Sequence, residues 1–156
     1  MLYPVKKYVF TGQGHLFTIP AATPVAVSSL IESAFVLSWG DYESCLNRVR
    51  TCLELILDGL HIKRFTVKNG RRERLSLYAR IKLAQVKAPS TEPFLMAVRH
   101  LGNAGSHSGG LTREDAFDAL DLLEAIVITR YGNQKIVNRL AQKIEKNKGP
   151  LKRKTK

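Results

Sequence analysis

The chain has 156 residues, of which 44% are hydrophobic, so it is long enough for one domain with a core and is not a wholly disordered chain. Its net charge of +12 is concentrated in two basic blocks, residues 61–90 and 132–156, which each carry nine Lys or Arg and one acidic residue. Such blocks around a near-neutral body predict a polyanionic partner, with nucleic acid ahead of an anionic membrane surface. A solvated surface with a disordered tail is the alternative explanation.

The apolar runs at residues 25–39 and 116–131 are short and contain acidic side chains, so no membrane-spanning segment is expected. The first ten residues lack the apolar segment of a secretory signal, which predicts a cytoplasmic protein. Cys45 and Cys52 lie seven positions apart on a predicted helix, about 10 Å, which is too far for a disulfide between them. Because no metal-ligand spacing occurs, we expect neither a metal site nor a cofactor.

The chain is predicted to begin with an N-terminal arm at residues 1–22. Apolar side chains alternate weakly there around the turn-forming segment 12–14, which favours a short hairpin or an extended conformation. A first helix is predicted to follow, with Thr23 as N-cap and Pro24 at its first position, and to end at Gly40.

A second helix is predicted to be capped by Asp41. Its apolar residues recur at steps of three and four, which indicates one buried face: Leu46, Val49, Leu53, Ile56 and Leu60. Arg50 and Glu54 are four positions apart on this helix, a spacing that predicts a local ion pair.

Residues 61–72 predict a basic loop that contains Asn69-Gly70, followed by a helix from about Glu73 to Lys87. The end of this loop, the start of the following helix and the C-terminal tail hold the side chains that we expect to contact nucleic acid: Arg71, Arg72, Arg74, Lys152, Arg153 and Lys154.

A further helix is predicted to open at Pro93. The next is predicted to start with a capping box of Thr112 and Asp115 and to stop at Gly132. An amphipathic last helix over residues 133–147 completes the pattern. Together these elements predict an all-α helical bundle of five or six helices over residues 23–147, with a basic disordered tail at 148–156.

Three polar residues form the candidate catalytic group: Arg99, Asn103 and His107. They follow one another at steps of four, so a continuous helix would place them on one face, away from its apolar residues. Histidine can transfer a proton near neutral pH, arginine can bind a phosphate oxygen, and asparagine can orient either. Alternatively, neighbouring glycines end the helix at Leu101 and the three residues form a structural turn.

The segment RHLGNAGSH at Arg99–His107, together with Arg50-Thr51-Cys52-Leu53-Glu54 on the second helix, resembles a prokaryotic domain family of unknown function. Members of that family carry R-x-x-L-E and R-x-x-G-N-x-x-x-H at corresponding places. The family is similar to the HEPN superfamily of helical bundles, which includes metal-independent endoribonucleases of toxin–antitoxin, CRISPR and phage-defence systems.

The resemblance implies a HEPN-like bundle that forms a homodimer, binds nucleic acid (RNA first, DNA second) and cleaves RNA without a metal ion. By the same resemblance, His107 is the acid/base residue, Arg99 stabilises the phosphate, and Asn103 is the polar residue that orients them. The alternative is a non-catalytic helical module that docks on a partner protein or on DNA in a defence or restriction complex.

Overall fold

The computed structural model describes residues 16–104, 110–132 and 134–148. These ranges contain six α-helices and one hairpin: α1 (Val25–Leu37), α2 (Tyr42–Gly59), β1 (Phe65–Lys68), β2 (Arg71–Arg74), α3 (Leu77–Lys87), α4 (Glu92–Ala104), α5 (Arg113–Tyr131) and α6 (Gln134–Asn147). The predicted all-α fold of five or six helices is therefore confirmed. The arm up to residue 15 and the tail from residue 149 lie outside the described residues. Within those limits no helix has the length and apolarity needed to cross a membrane.

Helix α2 is the centre of the bundle, and α1, α3, α4 and α5 all pack against it. Its N-terminus is capped as predicted, since the Asp41 carboxylate accepts a hydrogen bond of 2.9 Å from the backbone N–H of Ser44. The buried face follows the predicted steps of three and four: Cys45, Leu46, Val49, Cys52, Leu53, Ile56 and Leu57. The two cysteines are free thiols, as the spacing predicts, and burial raises the pKa of Cys45 to about 11 and of Cys52 to about 12.

The ends of the outer helices follow local signals except at α1, where both predicted ends are wrong. That helix ends at Leu37, and Gly40 lies in the turn that follows it. Thr112 and Asp115 form the predicted capping box before α5, and Gly132 follows its last residue. The predicted start of α1 is wrong by one residue. Pro24 has an extended ψ of 140° and acts as the N-cap, while the buried Thr23 makes no capping hydrogen bond.

The basic loop predicted for residues 61–72 is wrong, because β1 and β2 form an antiparallel hairpin there. Asn69 and Gly70 both have positive φ, 51° and 74°, which is the backbone of a two-residue type I′ turn. Pairing places Phe65 opposite Arg74, and the Arg72 guanidinium lies 3.9 Å from the centre of the Phe65 ring. The predicted helix start at Glu73 moves to Leu77, because Glu73 belongs to β2.

The root of the hairpin is held to the bundle by Arg80, a buried arginine of α3. Its guanidinium pairs with the carboxylate of Glu54, donates a hydrogen bond of 2.7 Å to Asp58, and donates another of 3.0 Å to the carbonyl of Ile62. Asp58 also accepts hydrogen bonds from Arg64, just before β1. These bonds, those from Arg64 first, hold the pKa of Asp58 below its usual value.

Candidate functional site

Helix α4 carries two of the three residues predicted for catalysis. Arg99 and Asn103 lie one turn apart, and the helix continues to Ala104, so the alternative in which it ends at Leu101 is wrong. Asn103 is exposed and Arg99 is half-buried. His107 lies outside the described residues.

Arg99 does not point away from the apolar face of its helix as predicted, whereas Asn103 does. Leu95 lies one turn before Arg99 and is fully buried, so Arg99 starts at the border of the buried face. Its side chain reaches α3, where the guanidinium carbon lies 4.7 Å from the centre of the Tyr78 ring. This cation–π contact fixes Arg99 at the boundary between α3 and α4.

The predicted ion pair between Arg50 and Glu54 is wrong, because Glu54 binds Arg80 of α3 instead. The Arg50 side chain lies against Gly102 of α4: a Cβ atom at Gly102 would be 3.1 Å from Arg50 Cδ. Gly102 directly precedes Asn103, and because it has no side chain the Arg50 side chain can lie against the backbone of α4 there. Arg50 therefore packs against α4 next to Asn103, a contact that the sequence interpretation missed although the Arg50 motif was one of the two that carry the family resemblance.

The contact between Arg50 and Gly102 predicts non-additive stabilities. Gly102→Ala should stabilise an Arg50→Ala variant by about 1 kcal/mol, because alanine favours a helix interior over glycine. In the wild-type background the same change should give little or no gain, since the new methyl group would displace Arg50. Urea unfolding of the four proteins of this cycle measures the difference. An equal gain in both backgrounds would show that the close approach has no energetic consequence.

The first basic block has two kinds of cation. Some hold the fold: Arg64 and Arg80 bind Asp58, and Lys82 binds Glu92 at 3.2 Å. Lys87 donates to the carbonyls of Leu60 and His61, which directly follow α2. Others are exposed on the hairpin: Lys68, Arg71, Arg72 and Arg74. Some cations of this block are therefore engaged in contacts within the fold, whereas those of the hairpin are exposed and could bind an anion.

The predicted nucleic-acid contacts fall into two groups. Arg71, Arg72 and Arg74 are exposed on β2, while the tail residues lie outside the described part of the chain: Lys152, Arg153 and Lys154. Strand β2 leads directly into α3, whose first turn contains Tyr78, the partner of Arg99. The root of the basic hairpin and Arg99 thus meet at the same end of α3.

Chemically, the side chains on and against α4 offer donors for an anion. Arg50 and Arg99 supply planar guanidinium groups that suit phosphate oxygens, and Asn103 supplies an amide that can donate or accept. Across the described ranges, no three His, Cys, Asp or Glu side chains converge as metal ligands.

Neither the curated proteins nor the solved structures gave a match to this sequence. One family model does match: DUF4145, described as a domain of unknown function, aligns with residues 32–147, about three quarters of the chain. The aligned region runs from the middle of α1 through α6 and includes the hairpin, Arg50 and the Arg99–His107 segment. The chain belongs to the DUF4145 family.

Proposed function

We propose that this protein is a HEPN-like, cytoplasmic RNA-binding domain that cleaves RNA without a metal ion, as a homodimer in a prokaryotic defence or toxin–antitoxin system. The Arg99–His107 segment resembles a domain family that is similar to the HEPN superfamily, and this resemblance supports the chemistry and the biological setting. The all-α bundle is compatible with that superfamily.

One observation carries the proposal. The exposed basic hairpin runs directly into α3, and the first turn of α3 contacts Arg99 through Tyr78. A polyanion bound along the hairpin would therefore have a route to Arg99 and Asn103. Exposed arginines on a short ribbon suit a phosphate backbone because each can bind phosphate oxygens through two N–H groups.

In the proposed reaction the ribose 2′-OH attacks the adjacent phosphate, the 5′-oxygen leaves, and a cyclic phosphate forms. Arg99 stabilises the charge that develops on the phosphate oxygens. His107, as the acid/base residue, accepts the proton of the 2′-OH and delivers it to the leaving 5′-oxygen, and Asn103 orients the reacting groups. The need for a 2′-OH makes RNA the substrate in preference to DNA.

The hairpin prediction is tested by the salt dependence of RNA binding. Arg71→Gln/Arg74→Gln should weaken binding and reduce the slope of log affinity against log salt by about 1.4, because each lost contact to single-stranded RNA removes about 0.7. The matched control is Arg48→Gln/Arg113→Gln, which removes two exposed arginines outside the basic blocks. Fluorescence anisotropy at several salt concentrations measures both. Equal slopes for the two double variants would contradict a specific role of the hairpin.

Exposed apolar side chains favour a second candidate, a non-catalytic module that docks on a partner protein or DNA. Val67 on β1 is 72% exposed and Val86 on α3 is 88% exposed. In that case wild-type protein binds its partner without cleaving RNA, and His107→Ala leaves binding unchanged.

A further inference from the structure

Tyr78 is an aromatic residue at the surface between two helices. Its side chain is 45% exposed, although Ile81 and Ala84 of the same helix are fully buried. The Arg99 guanidinium approaches its ring to 4.7 Å, and the ammonium group of Lys82, which also binds Glu92, lies 6.0 Å from it. A half-exposed aromatic ring thus has an arginine of α4 over it and a lysine of its own helix at the outer limit of cation–π contact.

This combination suits a single nucleic-acid strand. Proteins that bind single strands hold the phosphates with cations and stack the bases on exposed aromatic rings. A base in a duplex is already stacked between its neighbours, so it cannot cover such a ring without leaving the helix. The Tyr78 ring is in contact with the Arg99 guanidinium, to which the proposed function assigns the phosphate. The ring could therefore meet the base of the same nucleotide whose phosphate Arg99 binds.

We propose that Tyr78 stacks on the base next to the phosphate held by Arg99, and that this contact makes the site select single-stranded RNA. The inference rests on the proposed function and adds the substrate class and the residue that recognises it. A ring that served only to support Arg99 would not distinguish a single strand from a duplex.

The test uses a fluorescent 2′-O-methyl RNA oligonucleotide, alone and annealed to its complement. The methyl groups block the attacking hydroxyl, so the probe stays intact while the unmodified full chain is titrated. Wild-type protein should bind the single strand more tightly than the duplex. Tyr78→Leu should lose about tenfold in affinity for the single strand and less than about twofold for the duplex, whereas Tyr78→Phe should bind both like the wild type.

Trp39→Leu is the matched control, because Trp39 is also 45% exposed and its ring lies 5.8 Å from an arginine, Arg113. It should leave both affinities unchanged. An equal loss for single strand and duplex in Tyr78→Leu, or an equal loss in Trp39→Leu, overturns the inference while RNA binding stands. Wild-type protein that binds neither probe overturns the proposed function and this inference together.

Discussion

Replacing Arg80 with methionine should lower the free energy of unfolding by about 3 kcal/mol. The Arg80 side chain is 1% exposed and binds the carboxylates of Glu54 and Asp58 and the carbonyl of Ile62. Methionine fills a similar volume along the stem but donates no hydrogen bond. The Glu54 carboxylate would therefore lose Arg80 as its cation, Asp58 would keep Arg64 but lose the buried partner, and the carbonyl of Ile62 would lose a donor. Together these losses cost more than the loss of an exposed ion pair.

Arg64→Met is the control for this prediction. Arg64 binds the same carboxylate, Asp58, but its side chain is 54% exposed, so its loss should cost less than about 1 kcal/mol. Urea unfolding at neutral pH, followed by circular dichroism, measures both variants. The account fails if the two substitutions destabilise the protein equally, because burial of Arg80 would then contribute nothing.

Replacing Arg99 with alanine should slow RNA cleavage by at least about a hundredfold, the usual effect of removing one donor to a developing oxyanion. Arg99→Lys should recover only part of the rate, because an ammonium keeps the charge but lacks the planar pair of N–H groups. Asn103→Ala should slow cleavage less, since an orienting side chain does not carry the charge. Single-turnover rates with protein in excess measure these differences without a contribution from product release.

The fold should survive the loss of Arg99, because its one described contact is the cation–π contact with Tyr78, worth about 0.5–1 kcal/mol. Arg113→Ala is the matched variant, since Arg113 lies 5.2 Å from the centre of the Phe117 ring. Arg113→Ala should have the same free energy of unfolding as Arg99→Ala and the same RNA cleavage rate as the wild type. A similar rate loss in both variants would assign the effect to stability and not to the site.

The helices could be predicted where their signals are local. The steps of three and four in α2, the Asp41 cap and the Thr112–Asp115 capping box each involve residues within one or two turns of each other. The hairpin was missed although Asn69-Gly70 is a strong turn signal, because only Phe65 and Val67 supply apolar residues in its strands.

The environment of the site depends on contacts that are distant in sequence. Burial of Arg80 requires Glu54 and Asp58, which precede it by 26 and 22 residues, so its helix alone gives no sign of them. The i+4 rule wrongly assigned Glu54 to Arg50, because the tertiary partner Arg80 competes for the same carboxylate. Spacing alone could place Arg99 and Asn103 one turn apart, but it could not predict that Arg99 turns toward Tyr78.

The most direct test of the account is a time course of RNA cleavage by the full chain in EDTA, with wild type beside His107→Ala. We expect the wild type to cut single-stranded RNA and to leave a cyclic phosphate, and the variant to bind RNA without cutting it. If the wild type leaves transfer RNA, ribosomal RNA and single-stranded RNA intact, or if His107→Ala cuts at the wild-type rate, the proposed ribonuclease activity of this site is contradicted.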